Sequence, residues 1–265
     1  MMFGYRGWRR QWGDERHCGG ALLWQINDCW PTISWAIVDY FLKPKPAYYA
    51  VRRVLNPIAV GVQREHHDWS VCHAQPPRNS RYEMWVVSNK SHTVRGSVEL
   101  RFLSVNTGVE IRPPILRDVL IATNGTTNII TDGTIDHIAE PEPHVLAARL
   151  WVDNQIVARD VDWPQPFKYL DLSGPGIESV RWERVKESPD RYLLRITALK
   201  PVKCLVFEER DGVRFSDNAM DVVPGDVQSV FISGKWEDIS KVRYRFLGQN
   251  ETDAHYLGDL KGYEW

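Results

Sequence analysis

The chain is short of cysteine. Cys18, Cys29, Cys72 and Cys204 are the only four, and no two stand at C-x-x-C spacing. Disulfide scaffolds are far denser, so these read as free thiols in a reducing compartment. An excess of charge of one sign is also missing. Lys and Arg number 33 against 34 Asp and Glu, a formal net charge of −1. That argues against a nucleic-acid partner and against an anionic membrane surface. No apolar run approaches the roughly 18 residues that a membrane span needs. The opening residues, M-M-F-G-Y-R-G-W-R-R-Q-W, hold no apolar core and no small-residue cleavage site. No signal peptide is read there, and a cytoplasmic location is expected. Catalytic signatures are lacking too. No Ser-His-Asp, Cys-His, phosphate-loop or dinucleotide pattern stands in a supporting context. G-P-G-I at Gly174 lies between β elements and precedes no helix. No cofactor is expected.

Tryptophan, in contrast, is plentiful, with twelve residues. For most of them core packing in β-sandwiches is the expected role. The alternative is sugar stacking, because aromatic faces pack against the C–H faces of pyranose rings. One stretch concentrates the question: G-G-A-L-L-W-Q-I-N-D-C-W-P-T-I-S-W, residues 19–35. A short apolar run behind two glycines predicts a buried strand over 20–26. Gln25, Asn27 and Asp28 then fall where that strand would end, beside Trp24, Trp30 and Trp35. Aromatic platforms next to planar hydrogen-bonding groups suit sugar hydroxyls. A strand whose Trp and Asp merely fasten a loop fits the same residues. Spacing does not separate the two for Trp24 and favours packing for Trp35.

In chain order, residues 1–17 read as the back part of a helix, with Phe3, Trp8 and Trp12 on one stripe. Residues 43–55 read as a second helix. Pro46 falls in its first turn and Arg52 and Arg53 near its C-terminal end. Helix, strand, loop and helix over 1–55 do not make a fold, because one parallel strand cannot bury both faces. From Pro57 the hydrophobic period becomes two. About seven short strands are expected across residues 56–163, separated by S-N-K-S, N-T-G, T-N-G-T and D-N turns. That is the pattern of an immunoglobulin-like sandwich. W-P-Q-P-F-K-Y-L is a proline-stiffened linker. A second set of about seven strands predicts another sandwich over 164–250, followed by a tail at 251–265. The fold class is therefore mainly β, with a helical and single-stranded preface.

Metal chemistry finds little support. His66, His67, Asp68 and His73 crowd one loop but lack the spacing that fixes zinc ligands. Asp132 with Asp136 and Asp217 with Asp221 match no calcium loop and are expected in turns. Asp160 and Asp162, in R-D-V-D-W, read as a strand end.

G-A-L-L-W-Q-I-N-D-C-W-P-T-I-S-W-A-I-V-D-Y and the following K-P-K-P-A-Y-Y-A-V-R-R resemble the last strand and helix of the catalytic barrel in glycoside hydrolase family 2 β-mannosidases. V-R-R-V-L-N-P-I-A-V-G-V and W-P-Q-P-F-K-Y-L resemble the fungal group of these enzymes, and the likeness runs from about Tyr5 to Gln249. The resemblance implies that residues 1–55 are the end of a (β/α)8 barrel and that both sandwiches are C-terminal domains. It implies retaining hydrolysis of terminal, non-reducing β-D-mannose by two glutamates about 5–5.5 Å apart. Those glutamates belong to the fourth and seventh barrel strands, upstream of Met1, and no residue here matches either motif. The resemblance carries Trp24 over as the floor of the terminal-sugar subsite, and Asn27, Asp28 and Trp30 as its loop. The implied partners are β-mannosides and manno-oligosaccharides in the full-length enzyme. The alternative expectation is a carbohydrate-binding or interaction module made of the two sandwiches. Residues 1–55 are expected to expose an apolar surface.

Overall fold

The computed structural model describes residues 1–13, 17–68, 77–186, 188, 190–234, 239–249 and 255–260. They are mainly antiparallel β-structure, arranged in two compact units. No helix among them is long and apolar enough to cross a membrane.

The first unit comprises Met1–Trp24, Ala50–Val105 and Glu110–Leu170. Its strands are β1 (Ile58–Arg64), β2 (Asn79–Ser88), β3 (Val94–Ser104), β4 (Glu110–Ile121), β5 (Gly125–Asp136), β6 (His144–Val152) and β7 (Gln155–Asp162). They form two sheets, β1-β2-β5 and β4-β3-β6-β7. Alternation explains how they close. In β3, Val98, Leu100 and Phe102 are buried, while Glu99 and Arg101 between them face outward. They meet Val62, Met84 and Val86 from the other sheet in one core. Each fully buried side chain of this size contributes about 1.5–3 kcal/mol. β4 and β5 run longer than the apolar residues alone predict, because antiparallel pairing continues past the buried stretch into solvent-facing positions.

The register places Gly61 of β1 opposite Trp85 of β2. A Cβ at Gly61 would come within 2.5 Å of the indole. Gly61→Ala is therefore expected to destabilise the first unit by about 1–3 kcal/mol through overpacking. Chemical denaturation checks this, and a change under about 0.5 kcal/mol, the ordinary range for surface substitutions, would contradict it.

Helix α1 (Met2–Arg10) rests on this unit through arginines rather than through a broad apolar stripe. Arg6 pairs with Asp160 of β7, and both are buried. Arg10 pairs with Glu83 of β2, and its guanidinium lies 4.4 Å from the Trp85 ring centroid. Arg9 donates to the carbonyls of Val54 (2.5 Å) and Asn56 (2.6 Å). It thereby satisfies the C-terminal end of helix α2 (Pro46–Val54). Tyr5, Val51 and Val54 form a small cluster with Met2, Ala21 and Leu23.

The second unit comprises Gln25–Tyr49, Asn106–Val109 and Asp171–Trp265. Its strands are β8 (Ile177–Arg184), β9 (Arg191–Ala198), β10 (Val202–Phe207), β11 (Arg214–Phe215), β12 (Met220–Val222), β13 (Gln228–Ser233), β14 (Arg243–Arg245) and β15 (His255–Tyr256). The sheets are β11-β13-β9-β8 and β12-β10-β14-β15, closed over Leu194, Ile196, Phe207, Val222 and Val230. Asn218 substitutes for a strand neighbour. Its amide takes both the N–H (2.8 Å) and the carbonyl (2.9 Å) of Phe207. The stretch read as a tail contributes β15 to β14, and it buries Leu257. Two residues are too few to show a period in sequence.

Candidate functional site

The strand expected over 20–26 does not form. Those residues have irregular backbone, and only Asn27, just after them, makes an isolated parallel bridge, to Val38. A parallel strand exists only through its neighbours, and among the described residues none pairs alongside 20–26 as a strand. In the first unit, Trp24 is 78% exposed and Leu22 is 95% exposed.

In the second unit, Asn27, Asp28 and Trp30 lie in a loop that folds back on itself. Ile37 and Val38 both donate N–H bonds to the Ile26 carbonyl (3.1 and 2.8 Å), and Asp28 donates its N–H to Val38 (3.1 Å). Asp28 is the hub and is only 4% exposed. Its Oδ2 accepts from Lys45 Nζ at 2.7 Å, and its Oδ1 accepts from the Ser34 hydroxyl. Ser34 Oγ in turn accepts from the N–H of Ala36 at 3.0 Å. The hydrogen bonds of Lys45 and Ser34 hold the Asp28 carboxyl below the usual carboxylate range. Its fastening role is thus present above the ordinary aspartate pKa and is lost as pH falls through the lowered value. Asn27 donates its side-chain N–H to the Asp28 carbonyl at 3.2 Å. Trp30 is 70% exposed, and Ile26, Ile33, Trp35, Phe41 and Leu42 are exposed around the same loop. The apolar surface expected of residues 1–55 is therefore present.

Behind this loop, Tyr49 donates its hydroxyl to Glu209 Oε1 at 2.7 Å, and Lys43 pairs with Asp211 at 2.7 Å. Burial first, and then the Glu209 carboxylate, push the Tyr49 pKa up. Lys45, Ser34 and Glu209 escaped the sequence reading. Nothing in their spacing marks them, and Glu209 is 160 residues from its partner.

The other acidic candidates do structural work. Asp136 Oδ1 caps the N–H groups of Ile138 (2.9 Å) and Ala139 (3.3 Å). Asp221 binds Lys203 Nζ and the Cys204 N–H, at 2.8 and 2.9 Å. Asp160 and Asp162 close β7, as expected of a strand end, and they pair with Arg6 and Arg64. His66 and Asp68 are exposed, and His73 lies outside the described residues.

Two antiparallel β units, preceded in the chain by helices and an exposed aromatic loop, define a mainly β protein of the immunoglobulin-like class. A family model described as "Mannosidase Ig/CBM-like domain" matches residues 80–169. Over 250 residues the chain is 71% identical to β-mannosidase B of Aspergillus niger and 72% identical to that of Aspergillus terreus. Each alignment covers 94% of this chain and 29% of the relative. The chain thus spans under a third of the length of these curated relatives. The crystal structure of a β-D-mannosidase from Dictyoglomus thermophilum shares the fold, with a TM-score of 0.71 and 22% identity. That match covers 93% of this chain and 28% of the solved one. Over nearly its whole length the chain is therefore similar to a part of the glycoside hydrolase family 2 β-mannosidases.

Proposed function

We propose that this chain serves, within a full-length enzyme, the release of terminal, non-reducing β-D-mannose from manno-oligosaccharides with retention of configuration. The likeness to fungal β-mannosidases carries the reading. Trp24 supplies an aromatic floor for the terminal sugar. Trp30 and Asn27 belong to the loop that follows Trp24 in sequence, which Asp28 braces through Lys45 and Ser34. The exposure of Trp24 supports its part, because an indole engaged in a core has no face to offer a sugar. The acid/base and nucleophile are glutamates of the barrel, so the 265-residue chain by itself leaves an aryl β-mannoside intact. Turnover by the purified chain above the buffer rate would refute this. In the full-length enzyme, Trp24→Ala is expected to lower kcat/KM on the order of tenfold, about 1.4 kcal/mol of transition-state binding. An unchanged kcat/KM would remove Trp24 from the subsite.

A further inference from the structure

The outer face of the β4-β3-β6-β7 sheet carries a hollow that the function above does not use. Two adjoining depressions of about 470 and 590 Å³ share Ser97, Asp118, Trp151 and Asn154. The register builds them. Ser97 of β3 stands between Asp118 of β4 and Trp151 of β6. One row along, Glu99 stands between Leu116 and Arg149. Arg149 donates Nε to Glu99 at 2.7 Å, and its guanidinium lies 4.8 Å from the Trp151 ring centroid, which fixes the indole as a wall. The β6–β7 hairpin turns on two residues, Asp153 and Asn154, with φ of 51° and 60°. That is a type I′ turn, which holds Asn154 at the lip. Asp118 and Asn154 are exposed.

We infer that this hollow is a second saccharide site, separate from Trp24, which takes a neutral β-linked oligosaccharide. The chemistry of the lining selects the ligand class. An aromatic wall suits the C–H face of a pyranose, while a carboxylate, an amide and a hydroxyl at its edge suit vicinal hydroxyls. Arg95 and Arg117 balance Asp118 and Asp153 in the lining, and Arg149 neutralises Glu99. A balanced rim offers no net field to an anion, which disfavours phosphates and acidic polymers. The size fits a few sugar units, since small-molecule sites occupy about 300–1,000 Å³.

Calorimetric titration of the 265-residue chain with β-1,4-linked mannotriose tests the site. Weak, about millimolar binding is expected. Trp151→Ala and Asp118→Ala are each expected to weaken it at least about tenfold, and Trp24→Ala to leave it unchanged. Asp118 is exposed, so its variant stays folded and decides the matter even if the tryptophan variant does not. No heat at about 10 mM sugar would overturn the proposal. So would wild-type affinity in the Asp118 variant, or loss of binding in Trp24→Ala. Activity of the full-length enzyme on an aryl β-mannoside is not expected to change in Asp118→Ala, which keeps this outcome distinct from that of the barrel subsite.

Discussion

Asp160→Ala is expected to destabilise the first unit by about 3–5 kcal/mol, among the largest effects of any single substitution in the chain. Asp160 and Arg6 are both nearly inaccessible, and the carboxylate also accepts the Val62 N–H at 2.9 Å. Removing the carboxylate strands a buried guanidinium and a buried N–H together. Burial raises the Asp160 pKa, against the pull of Arg6 and Val62. The intact pair therefore contributes less than its breakage costs, and the stability of the fold declines as pH rises through that raised value, because burial opposes ionisation of the carboxyl. Arg6→Met combined with Asp160→Leu should recover the part of the loss that comes from the unpaired charge, while the Val62 N–H stays without its acceptor. Equilibrium denaturation of the three variants measures both effects. A loss under about 1 kcal/mol for Asp160→Ala would mean that the pair behaves like an exposed one.

The second large effect is in pH. His144 opens β6, is 2% exposed and holds its Nδ1 2.9 Å from the Glu142 carbonyl. Burial, and then the nearby Arg64 charge, push the ring's pKa down from 6.5 to about 4. A histidine kept neutral in the fold contributes its full stability above the unfolded pKa. That contribution is lost as pH falls from about 6.5 towards about 4, and the shift corresponds to about 3 kcal/mol. His144→Asn keeps a polar side chain but has no proton to take up. The stability difference between the two proteins should narrow, then reverse, as pH falls across this window. Carboxylates that titrate in the same range cancel in that difference. A difference independent of pH between 7 and 4 would show that His144 titrates normally.

Pattern went furthest where structure depends on near neighbours. The alternation of Val98, Leu100 and Phe102 with Glu99 and Arg101 announced β3, and Pro46 announced the start of α2. It failed over 20–26, where Ala21 to Trp24 look like a barrel strand but pair with no strand among the described residues. It also failed for His255 and Tyr256, which become a strand only because Arg243 and Tyr244 lie alongside. Asp160 could be read as a strand end, but not as the anchor of a helix 154 residues away.

The aromatic loop shows the same division. Its tryptophans, its polar residues and the likeness to a barrel's last strand were all legible in W-Q-I-N-D-C-W-P. Which groups are outward and which are fasteners was not. Trp24 and Trp30 face solvent, whereas Asp28 is buried with both oxygens engaged by Ser34 and Lys45. The sequence by itself determined the mainly β class, the two sandwiches and the likeness to β-mannosidases, because period and motif are local properties of a chain. Tertiary structure alone decided the ion pairs of Arg6 and Lys45, the neutral His144 and the hollow beside Trp151. Burial and partnership depend on residues brought together from distant parts of the chain, and no local pattern encodes them.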